Sequence, residues 1–137
     1  MEDTVFWKIV RKEIPAQVVY EDDETLAFLD IAPVTLGHTL VIPKKPFVNI
    51  FDIDQETLAR VIETVRKVAP IVRDATGALG VHINSNHGEE AGQVVPHLHF
   101  HIIPRHVRDG FEFWPKIDCS EEEMDAVAEK IRAGISF

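Results

Sequence analysis

The longest periodic pattern of apolar residues runs over about residues 54–76. Its apolar side chains recur at spacings of three and four, which is typical of one face of an amphipathic helix; they are Leu58, Val61, Ile62, Val65, Val68, Ala69 and Val72. Asp52 and Gln55 resemble a capping box before this helix, and Gly77 is placed to end it. Pro70 lies inside the pattern and predicts a kink, because its ring removes one backbone donor.

Shorter runs rich in β-branched and aromatic residues predict strands on both sides of the long helix. We expect five strands, over residues 17–21, 25–31, 38–42, 78–86 and 95–103. The strands are separated by turns and by loops that carry Pro or Gly, such as residues 30–37 and the Gly-rich loop 86–93. This order of elements predicts an antiparallel sheet crossed by one long helix, which is an α+β domain.

Two further helices are expected near the ends of the chain. Residues 5–11 predict a short helix that stops before Pro15. A final helix begins at Ser120, whose hydroxyl can cap it while Glu123 reaches back, and it ends at Gly134. Helical spacing predicts an inner face on this last helix made of Met124, Val127, Ala128 and Ile131.

Size and charge restrict the classes of partner. The 137 residues, of which 45% are apolar, suit a single domain over 1–137. With 14 basic and 23 acidic residues the net charge is −9, so the chain lacks the counterion-release contribution that drives non-specific binding of nucleic acids. A small phosphorylated ligand remains compatible with this charge, because a local cluster of donors can reverse the field inside one pocket.

Cysteine usage and hydropathy point to a cytoplasmic protein that does not bind membranes. Cys119 is the only cysteine, so neither an intramolecular disulfide nor a zinc site built from several cysteines can form. The N-terminus lacks the basic start and apolar run of a secretory signal. We find no apolar stretch that approaches the ~20 residues needed to span a bilayer.

Seven histidines stand out, and three of them alternate with apolar residues along the last predicted strand. Because side chains repeat every two residues along a strand, at about 6.6 Å, the three imidazoles of His97, His99 and His101 are expected on one face. The residues between them point to the core; they are Leu98, Phe100 and Ile102.

A row of imidazoles can serve either of two chemistries. It can hold zinc or copper, or a neutral imidazole can attack phosphorus while its neighbours donate hydrogen bonds to the oxyanion. The loop that leads into the strand favours the second chemistry, since Gly88 and Gly92 let backbone amides approach an anion closely. Cys119 lies in a distant segment, so a metal site at the strand lacks a cysteine as fourth ligand.

Residues 97–103, HLHFHII, match the histidine-triad (HIT) signature His-φ-His-φ-His-φ-φ, where φ is apolar. Three more segments resemble the Hint branch of that family and its bacterial and archaeal relatives: FWKIVRKEIP (6–15), YEDDETLAFLDI (20–31) and GHTLVIPKK (37–45). The resemblance covers about residues 4–115. It implies the HIT fold, a roughly five-stranded antiparallel sheet with one long helix that pairs as a homodimer, followed here by a C-terminal extension over 105–137.

The resemblance also implies a function and a set of catalytic residues. Family members hydrolyse or transfer nucleotides at the α-phosphate, so the implied substrates are purine nucleoside 5′-phosphoramidates or related adenylylated compounds. His99 would be the nucleophile that forms a covalent nucleotidyl-imidazole, and His101 would donate to the phosphate oxygens. His97 and His38 would support the nucleophile, and no cofactor or metal is implied.

The same resemblance assigns contacts to the nucleotide. Asp30 would accept the ribose hydroxyls. Asn86 and Gln93 would bring side-chain amides to the phosphate, while Gly92 and Val94 would contribute backbone groups. The apolar slot for the base would be built from Val5, Phe6, Ile9, Phe28 and Ile31.

Three alternatives remain open, and one of them rests on a departure from the family pattern. Val94 stands where the family commonly has Ser or Thr near the leaving group, so a nucleotide-binding regulator with little turnover is one alternative. A Fhit-like dinucleotide polyphosphate hydrolase is another, and a three-histidine metal protein is a third. Relatives with an N-terminal zinc site carry Cys-x-x-Cys where this chain has residues 4–7, TVFW, so no structural zinc is expected.

Overall fold

Five strands form one antiparallel sheet in the computed structural model, which describes residues 3–137. The order of strands across the sheet is β1-β2-β3-β5-β4. Along the chain the elements are α1 (Val5–Val10), β1 (Val18–Glu21), β2 (Thr25–Leu29), β3 (Thr39–Pro43), α2 (Gln55–Thr76), β4 (Gly80–Asn84), β5 (Phe100–Arg105) and α3 (Glu121–Gly134). The α+β prediction is confirmed.

The sheet is buried on both faces, because alternate side chains of its central strands enter two separate clusters. Helix α2 covers one face, where Val61, Val65, Val68, Ala69 and Val72 pack on Ala27, Val41, Leu98 and Ile102. On the other face Phe6 of α1 packs with Leu26, Phe28, Leu40 and Ile42. Ile62 was predicted to join the buried stripe of α2, but it is 46% exposed because it lies at the flank of that stripe.

The cap of helix α2 lies two residues after the predicted one. Asp54, not Asp52, caps the helix by accepting a hydrogen bond from the Thr57 N–H at 2.7 Å. Asp52 instead accepts from the N–H groups of Val48 and Asn49, which stabilises the preceding turn. Gly77 ends the helix in the left-handed conformation, as predicted. Neither α2 nor any other helix within residues 3–137 is long and apolar enough to cross a membrane.

The histidine-bearing strand is shorter than its alternating pattern predicts. Strand β5 begins at Phe100 rather than at residue 95, because Pro96 has no N–H to donate and the chain turns tightly there. The His97 N–H bonds to the Val95 carbonyl at 2.9 Å, and the Leu98 N–H bonds to the Phe47 carbonyl at 2.8 Å. The alternation of side chains still continues through this segment, since Leu98 and Ile102 are both buried under α2.

The C-terminal helix has the predicted cap but not the predicted burial. Ser120 and Glu123 form the capping box. The expected inner face is wrong within residues 3–137: no residue of α3 is buried, and every residue from 110 to 127 is exposed. The apolar residues of α3 do recur at helical spacing, but no other part of the described chain buries them.

Candidate active site

Four histidines meet on the α1 side of the sheet. His38 immediately precedes β3, His97 and His99 lie in the approach to β5, and His101 lies within β5, paired with Leu40 of β3. The ring centroids of His99 and His101 are 5.0 Å apart, and those of His38 and His101 are 5.1 Å apart. His38, His97 and His99 are buried. The structure therefore brings together all four histidines that were predicted to be catalytic.

His99 is held in one tautomer by a main-chain group. Its Nδ1 lies 2.7 Å from the carbonyl oxygen of His97, so Nδ1 carries the proton and Nε2 carries the lone pair. The backbone acceptor expected from the resemblance is thus present on the same segment. Burial lowers the pKa of His99, outweighing the opposite effect of this hydrogen bond, so the ring is neutral at pH 7. A neutral imidazole with a free Nε2 is a nucleophile.

A relay of hydrogen bonds sets the proton on His101. The Val34 N–H donates to His38 Nδ1 at 3.1 Å, which leaves the proton of neutral His38 on Nε2. That Nε2–H donates to His101 Nδ1 at 2.9 Å, so His101 carries its own proton on Nε2. Burial lowers the pKa of His101 to about 4, and burial also lowers the pKa of His38. His101 is therefore a neutral hydrogen-bond donor through Nε2.

His97 supports the nucleophile from behind. Its Nε2 donates to the Pro43 carbonyl at 2.9 Å, and burial lowers its pKa, so it is neutral. Its ring meets the edge of Phe6 and stacks on Trp7, with centroids 6.3 and 6.4 Å away. These contacts fix the peptide whose carbonyl orients His99.

Asp30 follows β2 at the edge of the cluster. One carboxylate oxygen accepts from the Ala32 N–H at 2.9 Å, which is the turn contact expected before Pro33. The other oxygen lies 3.8 Å from His38 Nε2. The rest of the carboxylate is accessible, since the side chain is 22% exposed. Asp30 can accept hydrogen bonds from a diol at this edge.

Asp30, His38 and His101 each place one donor atom within 4.8 Å of the others, a spacing that a metal ion could bridge. The tautomers do not fit this use. Binding a metal through His38 Nε2 would move its proton to Nδ1, where the Val34 N–H already points at 3.1 Å. Two hydrogens would then face each other in a buried position. The donor set therefore disfavours a metal ion.

An apolar wall lies beside the nucleophile. Phe6 packs edge-on against His99 and against Phe28, with ring centroids 4.9 and 5.4 Å apart. Phe6 and Phe28 are buried, and Ile9 packs on the same cluster. Val5 and Ile31 are 46% and 96% exposed, so their side chains are accessible at the rim. All five residues predicted for the base slot therefore belong to the α1 side or its rim.

The Gln93 side chain makes its hydrogen bonds within the protein. Its carbonyl accepts from Asn49 Nδ2 at 3.2 Å and from the Gly88 N–H at 2.9 Å. Its amide nitrogen donates to the carbonyls of Val48 and Val95 at 2.7 and 3.1 Å. All four hydrogen-bonding positions are used within the protein. In this arrangement Gln93 joins two loops, and both of its amide hydrogens are used within the protein.

The other predicted loop residues are Asn86, Gly92 and Val94, and some of their polar groups are bonded within the protein while others are free in the described part of the chain. Asn86 donates through Nδ2 to the Ala91 carbonyl at 2.5 Å and retains a second amide hydrogen. The Gly92 N–H bonds to the Glu89 carbonyl at 2.9 Å. Within residues 3–137 the Val94 N–H has no protein acceptor, and the Val94 side chain is 89% exposed. Of the predicted loop contacts, the second Asn86 amide hydrogen and the Val94 N–H are available as donors.

His87 lies in the same loop. Neither the triad motif nor the resemblance assigns it a role. The Ile50 N–H donates to His87 Nδ1 at 2.8 Å, so the proton of neutral His87 lies on Nε2. Burial lowers the pKa of His87. A charge on His87 would lower the pKa of His99, which shows that the two rings interact electrostatically. A fifth histidine twelve residues before the middle of the triad was the available signal.

Comparison with known proteins agrees with this geometry. The family model described as the HIT domain matches residues 11–108. A HIT-like protein of Methanocaldococcus jannaschii is 47% identical over 128 residues, 93% of this chain and 98% of the relative. The adenosine 5′-monophosphoramidase of Schizosaccharomyces pombe is 38% identical over 133 residues, 96% of this chain and 97% of the relative. A solved structure from Streptococcus mutans, 39% identical, overlays 99% of this chain and 87% of its own with a TM-score of 0.93.

Proposed function

Because this chain belongs to the histidine-triad (HIT) family, we propose that it hydrolyses purine nucleoside 5′-phosphoramidates or related adenylylated compounds at the α-phosphate. One observation carries the proposal: the His97 carbonyl holds a proton on His99 Nδ1 and leaves Nε2 as a lone pair in a neutral ring. The S. pombe relative, an adenosine 5′-monophosphoramidase, supports this substrate class.

In the first step, His99 Nε2 forms a bond to the α-phosphorus while the bond from phosphorus to the leaving nitrogen breaks. The leaving amine takes up a proton from solvent and departs. Nε2–H of His101 donates to a non-bridging phosphate oxygen, where negative charge must be stabilised. The Asn86 amide and the Val94 N–H are the further donors proposed for the phosphate.

In the second step, water attacks the same phosphorus and the bond to His99 Nε2 breaks. The nucleoside monophosphate leaves, one proton of the attacking water goes to solvent, and His99 returns to its neutral tautomer. The His97 carbonyl accepts from Nδ1–H throughout, so the positive charge on His99 in the intermediate is stabilised at the moment it forms.

The nucleoside is proposed to lie along the α1 side of the site. The Phe6 wall beside His99 offers an apolar surface to the base, with Ile9, Phe28, Val5 and Ile31 around it. The accessible Asp30 carboxylate accepts the ribose hydroxyls. The proposal also retains a homodimer located in the cytoplasm, as the resemblance and the composition imply.

A trapping experiment tests the proposal. The protein is mixed with an adenosine 5′-phosphoramidate, quenched in alkali and measured by intact mass. We expect an adenylyl adduct in wild type and none in His99→Ala, with His106→Ala, an exposed histidine beyond β5, as the matched control. Turnover that is unchanged in His99→Ala would refute the covalent mechanism. Faster turnover of a diadenosine polyphosphate than of any phosphoramidate would reassign the substrate to the Fhit-like class.

A nucleotide-binding regulator with little turnover is the second candidate, and Val94 is the observation that favours it. An exposed valine side chain offers no hydroxyl to a leaving group. We expect Val94→Ser to raise kcat for an amine leaving group about tenfold or more, with Val94→Ala as a control that adds no hydroxyl. Tight binding of a nucleoside monophosphate without turnover in wild type and in Val94→Ser would favour the regulator.

A further inference from the structure

A depression of about 350 Å³ lies between the segment that precedes α2 and the loop that precedes His97. We call it the Val94 depression; its lining includes Val48, Asn49, Gly88, Glu89 and Pro96 beside Val94 itself. None of the residues proposed to hold the base or the ribose lines it. Its volume falls in the range of sites that take small molecules.

The buried side chain of Gln93 joins the two walls of the Val94 depression. Its carbonyl accepts from Asn49 Nδ2 and from the Gly88 N–H, one group from each wall. Its amide donates to the Val48 carbonyl on one side and to the Val95 carbonyl on the other. These bonds hold the walls in place without a ligand, so little ordering is needed when a ligand enters.

The Val94 depression adjoins the position proposed for the α-phosphate. The Val94 N–H, which has no acceptor within residues 3–137, is a proposed donor to that phosphate, and the side chain of the same residue lines the depression. The base and the ribose are assigned to the Phe6 wall and to Asp30, which lie elsewhere. The remaining substituent on the phosphorus is the leaving group, so the leaving group is the part of the substrate that can enter the depression.

The Val94 depression offers few hydrogen-bond donors to an anion. The N–H groups of Val48 and Asn49 donate to one aspartate side chain at 3.1 and 2.9 Å. The Gly88 N–H donates to Gln93 Oε1 at 2.9 Å, and the Gln93 N–H donates to the Gly88 carbonyl at 3.1 Å. Pro96 has no N–H. An anionic group placed here would lose water without gaining matching donors, which costs free energy.

Glu89 gives the Val94 depression a negative charge. It is the only charged residue among the described residues that line the depression, and its side chain is exposed. Within residues 3–137 it forms no ion pair. An unpaired carboxylate attracts a cation and repels an anion, each by up to about fivefold in affinity at an exposed position. Charge and donors therefore favour the same kind of ligand, a cation.

We propose that the Val94 depression is the subsite for the leaving group and that it takes a primary alkylamine whose far end carries a positive charge. The alkyl chain lies on Val48, Val94 and Pro96, and the distant ammonium faces the Glu89 carboxylate. This inference rests on the proposed function, since it places the amine that is released from the α-phosphorus. Phosphoramidates of diamines belong to this class, whereas dinucleotide polyphosphates, whose leaving group is anionic, do not.

Three adenosine 5′-phosphoramidates whose leaving amines are of equal length test the subsite. The amines are 1,4-diaminobutane, pentylamine and 4-aminobutanoate, which end in an ammonium, a methyl group and a carboxylate. Release of the nucleoside monophosphate at low ionic strength gives kcat/KM for each. We expect the order ammonium, methyl, carboxylate, with about tenfold between the first and the last, since attraction and repulsion both contribute.

Glu89→Gln is the decisive variant, because the intrinsic reactivity of each substrate is the same with either protein. It should reduce the ratio of kcat/KM between the ammonium and carboxylate substrates at least threefold. Glu90→Gln is the matched control: it removes the same charge one residue away, outside the lining, and should change the ratio less than twofold. Both side chains are exposed, and the Gly92 N–H holds the turn through the Glu89 carbonyl, so both variants fold.

The outcomes separate the subsite from the proposed function. If the three substrates have equal kcat/KM, or if Glu89→Gln and Glu90→Gln change the ratio equally, the subsite is overturned while hydrolysis of phosphoramidates stands. If none of the three is hydrolysed and no adenylyl adduct forms, the proposed function fails and the subsite fails with it. Glu89→Lys gives an independent measurement, since reversing the charge should place the carboxylate substrate above the ammonium substrate once intrinsic reactivity is divided out with Glu89→Gln.

Discussion

Gly37 lies immediately before His38, and the structure predicts a specific loss of stability when it is replaced. Its φ is +95°, a conformation that side chains with a Cβ rarely adopt. A Cβ at this position would lie 2.5 Å from Cγ2 of Thr76 and 3.5 Å from Cγ of Pro104. Thr76 cannot simply rotate away, because its hydroxyl donates to the Val72 carbonyl at 2.8 Å. Gly37→Ala therefore meets both a backbone penalty and a clash.

The two penalties can be separated and given magnitudes. Forcing an L-residue into the left-handed region costs about 1–2 kcal/mol. Overpacking by one methyl group against a fixed neighbour adds about 1–3 kcal/mol. We expect Gly37→Ala to lower the free energy of unfolding by about 2–4 kcal/mol. Gly77→Ala, with φ +71° and open space around its Cβ, should show only the backbone part, about 1 kcal/mol.

Urea unfolding followed by far-UV circular dichroism measures these differences, provided that the slope m is the same for all variants. Thr76→Ser supplies the rescue, since it removes Cγ2 and keeps the hydroxyl bond to Val72. A double-mutant cycle of Gly37→Ala with Thr76→Ser should recover about 1–2 kcal/mol. If Gly37→Ala costs no more than Gly77→Ala, or if Thr76→Ser recovers nothing, the assignment of the clash is wrong.

Three further predictions concern the histidine cluster. Because burial holds the pKa of His99 below its usual 6.5, kcat/KM should fall on the acid side with a midpoint below 6.5. A midpoint at or above 6.5 contradicts the role of His99 as the neutral nucleophile. His38→Ala removes the donor to His101 Nδ1, so ¹⁵N NMR should find that the His101 proton is no longer fixed on Nε2, and kcat/KM should fall about 10–100-fold, equivalent to about 1–3 kcal/mol. The folded chain binds a proton at His101 more weakly than the unfolded chain does, so the free energy of unfolding should fall as pH drops from about 6.5 to about 4. The loss is at most ~3 kcal/mol, and partial screening of the ring by solvent makes it smaller. Urea unfolding at pH 7 and 4.5 checks this, and His101→Gln should reduce the pH dependence.

The helices and strands that depend on local spacing were predictable from the sequence. The choice between two nearby residues of similar type, such as two possible caps for one helix, was not. The period of α2 and the stop at Gly77 follow from residues within the helix itself. Asp52 and Asp54 can both cap a helix, and the choice depends on the Val48–Asn49 turn that Asp52 stabilises instead. The alternating triad predicts a strand from residue 95, whereas Pro96 delays the pairing until Phe100.

The same distinction between predictable and unpredictable features applies to the candidate site. The identity of the four histidines was predictable because side chains of one type repeat in a recognisable pattern. The groups that set their protons were not, since the Val34 N–H and the carbonyls of Pro43 and His97 belong to the main chain and leave no signature in the sequence. For Gln93, the four internal hydrogen bonds depend on a loop from a distant part of the chain.

The main-chain control of His99 has a consequence for how the protein can change over generations. A substitution at position 97 replaces a ring but leaves a carbonyl in the chain, so no single codon change can delete the acceptor that orients the nucleophile. The exposed side chain of Val94, which we propose to lie near the leaving group, has no part in this hydrogen bond. On that proposal, substitutions at position 94 would alter the leaving-group preference and leave the bond between His99 Nδ1 and the His97 carbonyl in place.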